Sequence, residues 1–428
     1  MIVVHLLLCL FIAPFILAID WRDSRPTTRQ LLYTLEIDAP HQTLFEQLNR
    51  RDIPYTLTHT FSSDLFTGAS ILLNNHEDRI HLPLLQSVKH VYPINSFDNP
   101  ANSLSQDSLD LSTHSAYNSQ LYPLVSGTQA LPSHSSVQLL SASALRQSAI
   151  TQAHERNLTG DGIFIAFIDD GVDYTHPGLG GCFGENCPIS HGWDLVGDNY
   201  NTTTHDISPG PLGATTCKSH GTSTIGVAAS QLEQLPGAAP NATFGMYRIF
   251  GCYGSSGDDV LAMGLIKAYE DGADIINISA GGPDGWTTSL PSVVASRIVE
   301  KGRHVVTSAG NYGLQGLLYS NSPAGGIGVT PVASTDLPYV PYLNASLTME
   351  SKPGDRFPYV PATSFNKMNV TVPAYILDKS GNSTSDACNN VTTSDKLDDV
   401  AVIIKPGGCS IGEKLENLKV SVKCFHEC

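Results

Sequence analysis

The chain has 428 residues, 41% of them hydrophobic, with 24 basic against 40 acidic side chains and a formal charge of -16. That length holds two or more domains and a real core in the largest, and the composition is that of a globular protein. An acidic balance with no basic run argues against nucleic-acid binding and against attraction to anionic membranes.

Met1 to Ala18 is an apolar run whose length suits a secretory signal cleaved near Ala18, with an N-terminal anchor as the alternative. Cleavage removes Cys9 and leaves eight cysteines, which in a secreted chain are disulfide candidates rather than metal ligands. The short spacing in GCFGENC pairs Cys182 with Cys187. Sequons at Asn157, Asn201, Asn241, Asn344, Asn369, Asn382 and Asn390 agree with an extracytoplasmic route. Asn277 also fits the pattern, but it lies in an apolar strand and is expected to stay bare.

Residues 29–97 change period repeatedly. QLLYTLEID alternates as a strand does, and HQTLFEQLNRRD carries Leu44, Phe45 and Leu48 at helical spacing. YTLTHTF and ASILLNN read as strands, LPLLQSVKH as a helix-like turn, and VYPI as a last short strand. The order β-α-β-β-α-β is the split βαβ, ferredoxin-like plan. Residues 98–141 are rich in Ser, Asn, Gln and Pro without a sustained period and read as a linker, with a docked irregular loop as the alternative.

From about Ala142 strands and helices alternate, as in a parallel α/β sheet covered on both faces. The uninterrupted apolar run IFIAFI ends abruptly in Asp169-Asp170-Gly171, and the crevice beyond the carboxyl ends of such strands is where ligands bind. His220-Gly221-Thr222 opens a helix of small residues. Strands follow at Thr243 to Ile249, Asp274 to Ser279 and His304 to Ser308, with helices at Asp258 to Glu270 and about Val293 to Lys301 between them. Polar residues stand where the strands stop, so one rim carries Asp169, the strip from Ser279 to Gly281, and Asn311.

IDDGVDYTHP, HGTSTIGVAA, IINISAGG and SAGN, in that order, resemble the successive motifs of the subtilisin-like serine proteases from about Ala142 to Ser334. The resemblance implies that Asp169 orients His220, that His220 is the general base, and that Asn311 donates to an oxyanion. It implies that Ser279, Ala280 and Gly281 pair with the substrate backbone, with Gly281 and Gly282 leaving room for the peptide. The ferredoxin-like segment, 29–97, is similar to the inhibitory propeptide of the same family, an intramolecular partner. Protein or peptide substrates are implied, and no nucleic acid or membrane partner after signal removal. No cofactor is assigned and no metal site is named; calcium is often bound in this family, but no ligand set stands out here.

Three departures matter. Asp170 replaces the usual Ser or Thr, giving a DDG similar to that of the proprotein convertases and an expected preference for a basic residue just upstream of the cleaved bond. Ser223 stands where the second His of HGTH is usual and touches no required role. No serine after Asn311 stands in a Gly-Thr-Ser context: Ser410 lies in another segment, and Ser364 lacks the preceding glycine and the following proline; Ser223, earlier in the chain, belongs to the His motif. Residues 346–428 resemble part of the protease-associated domain that larger secreted subtilases insert before the nucleophile. The expectation is thus a secreted, extracellular endopeptidase precursor with signal 1–18, propeptide 29–97, linker 98–141, catalytic part 142–345 and partial insert 346–428. On this reading the sequence is a fragment, a splice product or a faulty gene model, inactive for lack of its serine. The rival is a non-enzymatic secreted product that binds peptides or inhibits an active relative.

Overall fold

The computed structural model describes residues 31–100 and 144–335, apart from positions 204, 216, 234, 317 and 318, and several short stretches between 343 and 418. The signal, most of the linker, Ser364 and Ser410, and Cys424 and Cys428 lie outside the described residues. The chain divides into two compact units, Met1–Ile94 and Asn95–Cys428.

In the first unit, β1 (Leu32–Ile37) leads into α1 (His41–Arg50), β2 (Tyr55–Ser62) and β3 (Thr67–Leu73). A 3₁₀ helix (His76–Leu84) and β4 (Val88–Pro93) complete it. The four strands form an antiparallel sheet in the order β2-β3-β1-β4. Leu44 and Leu48 are one turn apart and so share a face of α1; both are buried against Leu35, Ile71 and Leu82. Each such leucine contributes roughly 1.5–3 kcal/mol through burial. The helical turn expected over LPLLQSVKH lies earlier and is 3₁₀. Asn75 caps it by accepting from the Glu77 amide, and Pro83 near its end brings the chain back to extended backbone, so Val88 and His90 already belong to β4.

The second unit begins with β5 (Ser96–Asp98) and is built on β6 (Phe164–Asp169), β7 (Ile189–Asp194) and β8 (Gly210–Pro211). Next come α2 (His220–Ala229), β9 (Thr243–Arg248), β10 (Ser255–Gly257) and α3 (Asp258–Glu270). β11 (Ile275–Ile278), α4 (Leu290–Glu300), β12 (His304–Ser308) and β13 (Thr330–Val332) follow. Seven strands lie in the order β13-β12-β11-β6-β9-β7-β8, parallel except for β8. Successive residues of a strand face opposite sides, and β6 uses both. Phe167 packs with Ile225 and Ala229 of α2, whereas Gly264 of α3 faces Ile168, where an added Cβ would meet Ile168 Cγ2 at 3.0 Å. The sheet is therefore covered by α2 on one side and α3 on the other, which is why its strands are apolar without alternation.

Disulfides join Cys182 to Cys187, as the spacing suggests, and also Cys217 to Cys252 and Cys388 to Cys409. Beyond the sheet, Leu343–Met349 and Lys352–Tyr359 form a hairpin, and Ala374–Ile376 pairs in parallel with Ala401–Ile403.

Candidate active site

The parallel register sets Ile168, Ile278 and Thr307 side by side, so β6, β11 and β12 end along one rim. Asp169 is the last residue of β6 and is fully buried. His220 opens α2 and its Nδ1 lies 2.8 Å from Asp169 Oδ1. Asp169 Oδ1 also accepts from the Asp170 amide at 2.7 Å, and its Oδ2 accepts from the Thr224 hydroxyl at 3.0 Å. Thr224 follows His220 by one turn of α2, so one helix supplies both partners of the carboxylate. Sequence reasoning passed over Thr224 because a threonine in a small-residue helix carries no signal of its own.

Burial works against the charged form of His220, but the Asp169 hydrogen bond and the charges of Asp169 and Asp170 together outweigh it. The imidazole pKa is raised above its ordinary value. Asp170 is also fully buried; its Oδ1 accepts from the Gly221 amide at 2.7 Å, and its Oδ2 takes no hydrogen bond of good geometry. Burial first, then the charge of Asp169, push the Asp170 carboxyl upward; the Gly221 amide, His220 and the side chain of Asn99 pull it partly back.

Ser279, Ala280 and Gly281 continue directly from β11 along the same rim, with Ala280 buried. Gly281 has a local reason for being glycine. Its φ is +138°, and a Cβ there would overlap Ser322 O, so it answers to the neighbouring loop. Gly282 lies against β5 of the same chain: its added Cβ would meet Phe97 Cβ at 3.3 Å. Asn311 is exposed, three residues beyond the end of β12. Ser223 is exposed on α2 and donates its hydroxyl to Ser219 O, away from any nucleophilic role. Among the described residues, no serine is hydrogen-bonded to His220.

A strand lies beside this rim. β5 pairs antiparallel with β10, Ser96 opposite Gly257, Phe97 opposite Ser256 and Asp98 opposite Ser255. Phe97 is buried edge-on against Phe250, their ring centroids 5.6 Å apart, and Asn99 is buried beside Asp170. Residues 98–99 thus belong to the built part of this unit rather than to a free linker. NSFDN is too short to show strand periodicity by itself.

Metal ligands can be weighed on the same geometry. Among the described residues, the grouping close enough to hold a metal is Asp198 with Cys217 and Cys252, but both sulfurs are engaged in a disulfide. Arg248 occupies the spot instead, donating to Asp194, Asp198 and Phe250 O.

The sequence model of the Subtilase family matches residues 160–401. The minor extracellular protease Vpr of Bacillus subtilis (strain 168) is 36% identical over 197 residues, 44% of this chain and 22% of that protein. Thermitase of Thermoactinomyces vulgaris is 33% identical over 180 residues, 41% of this chain and 56% of that one. A crystal structure of the epidermin leader peptide processing serine protease of Staphylococcus aureus aligns with TM-score 0.49 and 20% identity, over 72% of this chain and 70% of that chain. The matches to Vpr and thermitase span less than two thirds of those proteins. No helix among the described residues is long and apolar enough to cross a membrane. With its matched region covering more than half of the 428 residues, the chain belongs to the subtilase family of serine proteases.

Proposed function

We propose that this chain carries the acid–base half of a secreted subtilisin-like endopeptidase site that hydrolyses peptide bonds in proteins. The observation that carries the reading is the 2.8 Å pair of Asp169 with His220 at the rim of a parallel sheet. In this role the buried Asp169 fixes the imidazole so that its other nitrogen faces the cleft and can take a proton from an attacking hydroxyl. Asn311 is the side-chain donor for the oxyanion, and Ser279 to Gly281 pair with the substrate backbone, with Asp170 beneath the residue upstream of the cleaved bond. The nucleophile is not assigned to any serine of this chain. Residues 29–97, ferredoxin-like in strand order, act as the intramolecular propeptide, and residues 346–428 belong to a protease-associated insert. Cys388–Cys409 and the other disulfides agree with export.

β5 favours a second reading as well. A peptide strand beside β10, in a site without an assigned nucleophile, is what a non-enzymatic peptide-binding relative would also contain. A fluorophosphonate probe separates the two. Labelling of a serine in the full chain, lost in His220→Ala, establishes the enzyme. No labelling of a folded chain that still binds peptides establishes the binding protein.

A further inference from the structure

Residues 95, 97 and 99 fall on one face of an extended strand, and each meets a different anchor. Phe97 meets Phe250, and Asn99 meets Asp170. Asn95 meets Asp258, the first residue of α3, immediately after β10. Asp258 Oδ2 accepts from the Asn95 amide at 3.2 Å and from Asn95 Nδ2 at 3.1 Å, while the Asp258 amide donates to Asn95 O at 3.0 Å. Asn95 is thus held by three hydrogen bonds, although its own side chain is exposed.

Asp258 is buried at 3% exposure, and nothing in the acid–base pair uses it. A buried carboxyl in a helix's first turn gains from the helix dipole but loses solvation, so a donor brought by a bound strand is worth more to it than one at the surface. We propose that Asp258 is a specificity-determining residue of the cleft, selecting a side-chain amide on the peptide residue two positions before the aromatic that fills the place of Phe97. The peptides selected then carry amide, aromatic and hydrogen-bond donor side chains at alternate positions. This rests on the reading of the cleft as a peptide site, and extends it beyond Asp170 and the backbone strip.

The class of side chain follows from charge. Burial, with the nearby charges of Asp259 and Asp284, moves the Asp258 carboxyl up to about 7 against the pull of the two Asn95 hydrogen bonds. Near neutrality the group is uncharged about half the time, which suits a neutral amide better than a lysine or arginine.

The test uses the full chain with Asn95→Gly, Phe97→Gly and Asn99→Gly, so that its own strand no longer competes. Fluorescein-labelled Asn-Ser-Phe-Asp-Asn, and versions beginning with Ala or Lys, are titrated by anisotropy. The Asn peptide is expected to bind at least about tenfold tighter than the Ala peptide, the ratio that one hydrogen bond to a charged or polar buried group supplies. The ratio is expected to fall to about one when Asp258→Ala is added. Asp258→Leu, close in volume and lacking both oxygens, serves if the alanine variant does not fold. Equal binding of Asn and Ala peptides with Asp258 present, a ratio that survives Asp258→Leu, or tighter binding of the Lys peptide overturns the proposal alone. Failure of every peptide to bind overturns the peptide-cleft reading and this inference with it.

Discussion

Asp169 and His220 come from different faces of the architecture, one from the end of the central strand and one from the start of a covering helix, and meet at 2.8 Å. Burial alone would depress the imidazole pKa; the carboxylate reverses that. Asp169→Asn is therefore expected to move His220 from above its ordinary value to below it, because desolvation is the largest contribution and outlasts the change. NMR titration of the ring protons reads this directly. The stability linkage changes sign too. In the wild type the native state holds the proton, so the pair stabilises fully below the unfolded pKa and less as pH rises through the folded one. In the variant the native state sheds it, and stability is lost as pH falls instead. A His220 pKa that does not fall in Asp169→Asn would refute this account of the pair.

Gly221 is what permits that meeting. A Cβ on it would overlap Gly171 O and come to 3.0 Å from Asp170 Oδ1 and 3.1 Å from Asp169 Cβ, closer than ordinary van der Waals contact, and these are backbone or buried side-chain atoms with nowhere to go. Gly221→Ala is expected to destabilise by about 1–3 kcal/mol, the usual cost of overpacking, and to lift the start of α2 off the rim. The check is a lowered denaturation midpoint together with a His220 pKa shifted toward its ordinary value. A variant as stable as the wild type with an unshifted His220 would show that the close approach is not needed.

Much of this site could be read from the sequence because a buried parallel strand is an unbroken apolar run and its end is marked by the first charge. Phe164–Asp169 is such a strand, and Asp258–Glu270 is legible for a different reason, the helical spacing of Leu261, Leu265 and Ala268. What could not be read depends on contacts distant in sequence. Asn95 finds Asp258 across 163 residues and Asn99 finds Asp170 from well outside its own segment, and nothing local to NSFDN announces either partner. Gly281 reads like a substrate-strip glycine in its motif, yet the atom it avoids, Ser322 O, belongs to a loop with no motif of its own. The 3₁₀ helix at His76–Leu84 shows the opposite difficulty: apolar spacing around Leu82 and Leu85 fits a helix, but Pro83 and the strand requirement of Val88 override it.

Asp170 leads to a prediction about peptides. Its carboxyl is buried, raised in pKa, and short of a good donor at Oδ2. As pH rises the group ionises, and an uncompensated buried carboxylate attracts a cation more strongly than an amide. In the chain vacated at residues 95, 97 and 99, peptides with Arg or Lys in the place of Asn99 are expected to gain on the Asn peptide as pH rises. Asp170→Ser should weaken the basic peptides by roughly tenfold or more while affecting the Asn peptide less. A library at pH 8 with no enrichment of Arg or Lys at that position removes the expected basic preference.

Asp258 ties cleft occupancy to stability. A carboxyl whose folded pKa is raised from 3.8 to about 7 keeps its proton in the native state at pH values where the unfolded chain has lost it. Between those two values the native state binds more protons, so the stability of the second unit falls as pH rises, and the slope ends once both states are ionised. The full span corresponds to at most roughly 4 kcal/mol, about 1.4 for each pKa unit. Asp258→Asn mimics the protonated form and removes the slope. Its advantage over the wild type should be small near pH 4, grow through pH 5 and 6, and level off above about 7.5. Urea midpoints followed by fluorescence of Trp193 and Trp286, both in the second unit, measure it. A constant difference between the two proteins from pH 4 to 8 would mean that Asp258 is ionised in the native state throughout. The neutral-amide preference would then lose its electrostatic basis, and a lysine in the place of Asn95 would be the better ligand.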